Sequence, residues 1–267
     1  MIYRPPPPFD PEAPIIVIDI GNTTTSVATW HGGDLKTPLS IATDQPLAFE
    51  EAYAAHVKAA PLGRPAATVI SSVVPDALER IRVYVLAQQE QEALVVGETV
   101  PLPMDVAVKD KRAIGVDRVC EAAAAYDKLQ TGCTVVSFGT AVTVDLVDDD
   151  GILLGGAILP GLRMQLRALH ENTAALPEVQ PGLPELPYGR DTTEAIQNGV
   201  CRGLTGAVRG LVEAYATHLN RWPHVVATGG DVAFLAPHCD FLDTIVSDLT
   251  LRGVGLAYDK HLAEQGA

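Results

Sequence analysis

The strongest constraint on the fold is a pattern that occurs twice along the chain. A continuous apolar, β-rich run is followed by a polar turn with glycine and then by a threonine-rich run, at residues 15–30 and again at 133–147. Such runs predict buried strands joined as hairpins. A third strand and helical segments follow each hairpin. We therefore expect an α/β protein with two related lobes, each a mixed sheet of about five strands flanked by helices, and a cleft between them.

The length of the chain and its proline-rich start predict the domain boundaries. The 267 residues are enough for two domains of ordinary size. Residues 1–14 form a proline-rich leader, which we expect to be extended because Pro5 to Pro8 cannot donate backbone hydrogen bonds. The remainder divides into a first domain at 15–128 and a second domain at 129–267.

Composition excludes several classes of function. With 33 acidic and 19 basic residues the net charge is −14, which opposes binding to a nucleic-acid backbone. No apolar run reaches the roughly 18–20 residues that span a bilayer, and the N-terminus lacks the apolar core of a signal peptide. The four cysteines form no CxxC pair, as is usual for buried thiols in a reducing compartment. We expect a cytoplasmic protein that binds neither nucleic acid nor membranes.

The first polar turn combines an acid at a strand end, a glycine and several hydroxyl side chains: Asp19, Ile20, Gly21, Asn22, Thr23, Thr24, Thr25 and Ser26. Glycine allows the backbone to approach a ligand closely, and hydroxyls and turn amides donate to phosphate oxygens. Asp19 is suited to hold a hydrated Mg²⁺ that bridges those phosphates. The same residue types also form plain hairpin turns, so this run alone leaves both interpretations open.

A second polar turn lies in the matching place of the second half, from Ser137 to Asp145. It is also compatible with a simple glycine turn between strands. Two Gly-Thr hairpins, one in each lobe and both facing one cleft, favour an ATP site. In this paired arrangement the chain resembles the actin/hexokinase/sugar-kinase superfamily.

Two further turns carry polar residues. Thr228 to Asp231 follow a strand and feed a helix, which suits close approach of an adenosine or phosphate group but also fits a plain strand-to-helix connection. Gly115 to Arg118 begin a helix, where an aspartate is favoured by capping alone. Neighbouring helical side chains point about 100° apart, so one of Asp117 and Arg118 can touch an acceptor while the other braces it.

Eight segments in order resemble those of type III pantothenate kinases: DIGNTTTS (19–26), SSVVP (71–75), GVDR (115–118), FGTAVTVD (138–145), GGAILPGL (155–162), TAALPEV (173–179), GRDTTEAIQNG (189–199) and TGGD (228–231). Such a series is far more specific than one glycine-rich turn. The resemblance implies an actin-like (ribonuclease H-like) fold, a homodimer and ATP-dependent phosphorylation of pantothenate to 4'-phosphopantothenate, the first step of coenzyme A biosynthesis.

The resemblance also implies roles for single residues. Residues 19–26 and Thr140 would contact ATP, with Asp19 holding Mg²⁺ through water. Pantothenate would be bound by Thr192, in its own subunit or across a dimer, and by Gly115, Val116, Asp117 and Arg118. Asp117 would act as the proton acceptor. It would orient the acceptor hydroxyl and take its proton as the bond to phosphorus forms.

The sequence departs from the family pattern at two places. Ser137 stands where the family usually has an aspartate associated with bound K⁺ or NH₄⁺, and a neutral serine lowers the expected affinity for that cation. Residues 109–112 replace the family's Asn-Pro pair and the aromatic residue upstream of it. Two alternatives therefore stay open: a weak or inactive family member that acts as a nucleotide-binding regulator, and a kinase for a different small acceptor.

Overall fold

The computed structural model describes residues 13–60, 64–111 and 113–266. The predicted proline-rich leader therefore lies outside the described residues except for its last two positions, and so does Arg112. The described residues form two units. The first contains residues up to Asp127 together with those from Asp248 onward, and the second is Lys128–Ser247.

The first unit is built on a mixed sheet with β1 at its centre. The strands are β1 (Ile15–Ile20), β2 (Thr24–His31), β3 (Asp34–Ala42), β4 (Thr68–Ser72) and β5 (Leu94–Val95), in the order β3-β2-β1-β4-β5. β1 is antiparallel to β2 and parallel to β4. Because both faces of β1 are covered, its sequence is a continuous apolar run and not an alternating one.

Four helices flank this sheet: α1 (Pro46–Ala59), α2 (Pro75–Gln89), α3 (Val116–Leu129) and the C-terminal α7 (Leu249–Gly266). The first two have proline in the first turn, where its missing N–H costs no helical hydrogen bond.

The C-terminal helix corrects the domain division expected from the sequence, which placed residues 129–267 in one domain. Leu251, Val254 and Ala257 of α7 pack into the same core as Ile15 and Val17 of β1. The helix therefore belongs to the first unit, and its apolar contacts join residues more than 200 positions apart.

The second unit repeats this architecture. Its strands are β6 (Cys133–Phe138), β7 (Ala141–Val147), β8 (Leu153–Pro160), β9 (His224–Thr228) and β10 (Thr244–Ile245), in the order β10-β9-β6-β7-β8. β6 is antiparallel to β7 and parallel to β9, as β1 is to β2 and β4. The prediction of two mixed five-stranded sheets is confirmed. The two-residue strand β10 was not predicted.

The helices of the second unit are α4 (Leu162–Glu171), α5 (Thr192–Leu219) and α6 (Val232–Leu235), the last followed by a 3₁₀ turn at Ala236–His238. α5 buries one stripe of apolar residues, which includes Val200, Leu204, Val208 and Val212. Their spacing of four places them on one face of the helix. Among the described residues, none of the helices is long and apolar enough to cross a membrane.

A glycine in α7 allows this helix to approach α3. A Cβ atom added at Gly253 would collide with the backbone carbonyl of Cys120, whereas one added at Gly210 in α5 would meet no heavy atom within 4 Å. We expect Gly253→Ala to lower the free energy of unfolding by about 1–3 kcal/mol, because backbone cannot move aside cheaply. Gly210→Ala should be neutral or stabilising by roughly 0.5–1 kcal/mol. Urea unfolding of both variants tests this, and equal stabilities would contradict it.

Candidate functional site

Two carboxylates meet where β1 ends. Asp19 lies next to the end of β1, and its neighbour in register on the parallel strand β4 is Ser71. Asp117 is in the first turn of α3 and lies close enough to Asp19 to repel it. The structure therefore brings together two acidic residues that the sequence places almost 100 positions apart.

The surroundings of Asp19 disfavour its ionised form. Its pKa rises from 3.8 to about 7, first because the carboxyl group is buried and second because Asp117 repels it. The hydroxyl of Ser71 lowers this pKa slightly, although Ser71 Oγ makes no hydrogen bond of full geometry to any described residue. In the absence of a cation, Asp19 is therefore partly protonated near neutral pH.

Asp117 folds back over the start of its own helix. Its Oδ1 accepts a hydrogen bond from the backbone N–H of Arg118 at 2.9 Å. A Cβ atom at Gly115 would lie 2.5 Å from this oxygen, so the glycine makes room for the carboxylate. Burial raises the pKa of Asp117, while the N–H and the guanidinium of Arg118 lower it. A carboxylate with a raised pKa is suited to accept a proton.

A buried thiol lies beside the two acids. Cys120 follows Asp117 by one helical turn, and its pKa is raised well above the ordinary value by burial and by the charges of Asp19, Asp117 and Glu121. The thiol therefore stays protonated and is not a nucleophile. Sequence analysis assigned no role to Cys120, and it included Ser71 only as the first residue of the family-like segment SSVVP, without a chemical role.

Hydrogen bonds from a residue outside the motif stabilise the predicted phosphate-binding turn at 19–26. The N–H of Gly21 donates to the carbonyl of Thr24 at 2.9 Å and closes the turn. Thr43, which follows β3, donates through its N–H to the carbonyl of Thr23 and through its hydroxyl to the carbonyl of Gly21. No signal in the sequence pointed to Thr43.

The side chains of residues 19–26 differ in how accessible they are to a ligand. Thr25 is buried and its hydroxyl bonds that of Thr43, while the hydroxyl of Ser26 bonds that of Ser40. The side chains of Asn22, Thr23 and Thr24 are exposed at the tip of the turn. Exposed polar groups are thus concentrated at residues 22–24, and Ile20 is buried in the core.

In the second unit, a row of hydroxyl groups crosses the sheet at the position equivalent to Asp19. Ser137 of β6 is in register with Thr143 of β7 and with Thr228 of β9. Residues opposite one another in register share a face of the sheet. The site that the family resemblance assigned to a monovalent cation therefore has neutral neighbours on both adjacent strands.

Three turns converge at the end of this sheet. The N–H of Gly161, before α4, donates to the carbonyl of Thr140 at 3.1 Å. The N–H of Asp231, after β9, donates to the carbonyl of Phe138 at 3.0 Å. Thr140 is exposed at this convergence.

The last predicted substrate residue, Thr192, is exposed in the first turn of α5. Two carboxylates cap the N-terminus of this helix. Asp191 Oδ1 accepts from the N–H of Glu194 at 2.8 Å, and Glu194 Oε2 accepts from the N–H of Arg190 at 2.8 Å. The first unit thus contains the turn at 19–26 and residues 115–118, and the second contains Ser137, Thr140 and Thr192.

Comparison with known proteins gives concordant results. The family model for type III pantothenate kinase matches residues 15–214. A protein from Syntrophotalea carbinolica named type III pantothenate kinase is 33% identical over 249 residues, which cover 91% of this chain and 98% of that protein.

Solved structures agree on the fold. A Baf family protein from Campylobacter jejuni superposes with a TM-score of 0.60 at 21% identity, covering 94% of this chain and 98% of that one. A Sinorhizobium meliloti protein assigned as a 2-dehydro-3-deoxygalactonokinase gives a TM-score of 0.51 at 13% identity, with coverages of 92% and 95%. The predicted α/β fold of the actin-like sugar kinases is confirmed.

The raised pKa of Asp19 predicts a pH-dependent stability. In the unfolded chain this carboxyl group titrates near 4, but in the folded protein it titrates near 7. The folded state therefore binds the proton more tightly, and stability falls as the pH rises from about 4 to about 7. In metal-free buffer we expect Asp19→Asn to be more stable than the parent at pH 8, by roughly 1.4 kcal/mol per pKa unit at most.

This advantage should disappear near pH 4, where Asp19 is protonated in the folded parent. Urea unfolding at the two pH values measures it, and the exposed Asp44→Asn variant is the control. A gain from Asp19→Asn that is the same at both pH values, or no gain at all, would show that Asp19 is not destabilised by its charge.

Proposed function

The chain belongs to the type III pantothenate kinase family, and we propose that the acidic pair Asp19 and Asp117 carries out that family's reaction in this protein. It is a kinase of coenzyme A biosynthesis that phosphorylates pantothenate. The observation that supports the residue assignment is the proximity of the two carboxylates at the end of β1, both with raised pKa. Perturbed acids of this kind cluster at functional sites.

A kinase of this family uses ATP with a divalent metal, and the acidic pair fits such an ion. Mg²⁺ prefers carboxylate and water oxygens, and a cation relieves the repulsion between Asp19 and Asp117. Among the residues that the structure describes, no group of three or more His, Cys, Asp or Glu side chains could hold a metal ion. Asp19 would hold the Mg²⁺ through water, as the family resemblance implies. The bound ion would neutralise charge on the phosphates.

Asp117 is proposed as the proton acceptor. The oxygen of the pantothenate hydroxyl forms a bond to the γ-phosphorus of ATP, the bond from that phosphorus to the bridging oxygen breaks, and ADP leaves with the bond's electrons. The hydroxyl proton passes to Asp117. The Arg118 N–H that holds Asp117 Oδ1 at 2.9 Å orients the carboxylate for this transfer. Gly115 and Val116 complete the proposed acceptor site.

The remaining ligand contacts follow the family pattern. We assign the phosphates of ATP to the exposed tip of the turn at 22–24 and to Thr140. Pantothenate would contact Thr192 in addition to residues 115–118. The proposal includes a homodimer in the cytoplasm. The alternative of an inactive, nucleotide-binding regulator is favoured by Ser137 and by residues 109–112. A coupled ADP-release assay with pantothenate separates the two, because a regulator would bind ATP without pantothenate-dependent turnover.

Replacing Asp117 tests the assignment of the proton acceptor. Asp117→Asn keeps the shape and the contact with the Arg118 N–H but cannot take a proton, so we expect the rate to fall roughly 10²–10⁴-fold. Nucleotide affinity should change little. Asp127→Asn, an exposed change on the same helix, is the matched control. Full activity of the Asp117→Asn variant would show that Asp117 is not the proton acceptor.

The row of hydroxyls around Ser137 predicts little dependence on monovalent cations. Neither Thr143 nor Thr228, the neighbours in register, replaces the negative charge of the family's aspartate, which favours binding of K⁺. Activity should therefore be nearly the same in K⁺ and Na⁺ at constant ionic strength, which keeps general screening fixed. Ser137→Asp should introduce a saturable activation by K⁺. A many-fold activation of the parent enzyme by K⁺ would refute this prediction.

A further inference from the structure

The convergence of turns in the second unit includes a cation that the proposed mechanism does not use. Arg163 is in the first turn of α4, two residues after Gly161, whose backbone packs against the carbonyl oxygens of Gly139 and Thr140. Helical side chains lean toward the N-terminus of their helix. The Arg163 side chain is therefore placed at the turn that carries Thr140.

A carboxylate holds this arginine from one side. Arg163 Nε lies 3.5 Å from Asp231 Oδ1. The Asp231 side chain is only 15% exposed and is anchored by its backbone hydrogen bond to Phe138, whereas the Arg163 side chain is 64% exposed. A guanidinium has five N–H donors, and this contact engages one edge of it. Because the side chain is largely exposed, the other donors are accessible to a ligand.

Arg163 also differs from the other arginines of the second unit. Most of these are committed to partners elsewhere: Arg190 to Glu194, Arg202 to Asn198, Arg209 to Glu213 and Asp240, and Arg221 to Asp149. Arg167 is exposed and lies one turn further along α4, about 6 Å from Arg163 along the helix axis. The chain has a net charge of −14, so basic side chains are scarce. An arginine in the helix that begins at the Thr140 turn is therefore a candidate for binding an anion.

We propose that Arg163 binds phosphate oxygens of the nucleotide and that Asp231 is the positioning residue that orients its guanidinium. This inference rests on the proposed function, because it takes the Thr140 turn as part of the ATP site. Guanidinium and phosphate are complementary in charge and in planar geometry, and their hydrogen bonds are stronger than those between neutral groups. A purely structural role would contribute little, because an exposed ion pair such as Arg163–Asp231 adds little to the free energy of unfolding.

Calorimetric titration with Mg²⁺ and a non-hydrolysable ATP analogue tests the role of Arg163. We expect Arg163→Ala to raise the Kd for the analogue about tenfold or more. Arg163→Lys should have an intermediate effect, because it keeps the charge but loses the planar fork. The matched control, Arg167→Ala on the same face of α4, should change Kd less than about twofold. The affinity for adenosine, which has no phosphate, should be unchanged by Arg163→Ala.

Three outcomes would overturn this role: an Arg163→Ala variant that binds the analogue like the parent, an equal loss from Arg167→Ala, or an equal loss of adenosine affinity. A parent protein that does not bind the analogue at all would instead overturn the proposed function. The two failures are therefore distinguishable.

The positioning role of Asp231 is tested by a double-mutant cycle. Asp231→Asn removes the charge that holds Arg163, so it should weaken binding of the analogue in the parent and have no further effect in the Arg163→Ala background. An equal change in both backgrounds, or tighter binding in the parent, would show that Asp231 does not act through Arg163. All variants should keep the parent's unfolding midpoint.

Discussion

The close approach of Asp19 and Asp117 is the constraint on which the proposed site of the first unit depends. Alternation along β1 places Asp19 on the same face as Ile15 and Val17, which share a core with Cys120 of α3. The packing of α3 on this face brings Asp117 to Asp19. Burial then makes the pair costly, as the raised pKa of both acids shows. Acids with pKa values perturbed in this way cluster at functional sites, which agrees with the roles proposed for the pair.

The C-terminal helix supplies much of the support for this pair. At Gly253 the backbone of α7 lies against that of α3 at Cys120, and at Gly255 it lies against the ring of Trp30. Two polar contacts add to this packing. Thr250 donates to Glu121 at 3.0 Å, and Trp30 Nε1 donates to Asp259 at 2.9 Å. The last residues of the chain thus fix the helix that carries the proposed proton acceptor.

The two units share a topology but differ in electrostatics at equivalent positions. Asp19 is the fifth residue of β1 and Ser137 is the fifth residue of β6. Their neighbours in register are Ser26 and Ser71 in the first unit and Thr143 and Thr228 in the second. One strand end therefore presents a carboxylate among hydroxyls, and the other presents hydroxyls only. The proposed cation site lies in the first unit, whereas the charged groups near the equivalent turn of the second unit include the Arg163–Asp231 ion pair.

Local pattern determined the strands, the long helices, the fold class and the polar turns, because alternation, apolar runs and glycine act within a few residues. It also identified Asp19 and Asp117 as candidates, since Asp19 precedes a glycine turn near a strand end and Asp117 lies in the first turn of a helix. Tertiary structure alone decided that α7 joins the first unit, that Thr43 and Ser71 border the site, and that the buried hydroxyl of Thr25 bonds Thr43. These features, like the pKa of Asp19 and the pairing of Arg163 with Asp231, arise from burial and charge between residues far apart in the chain. No local pattern encodes such contacts, because they exist only when the sheets have formed and the helices have packed on them.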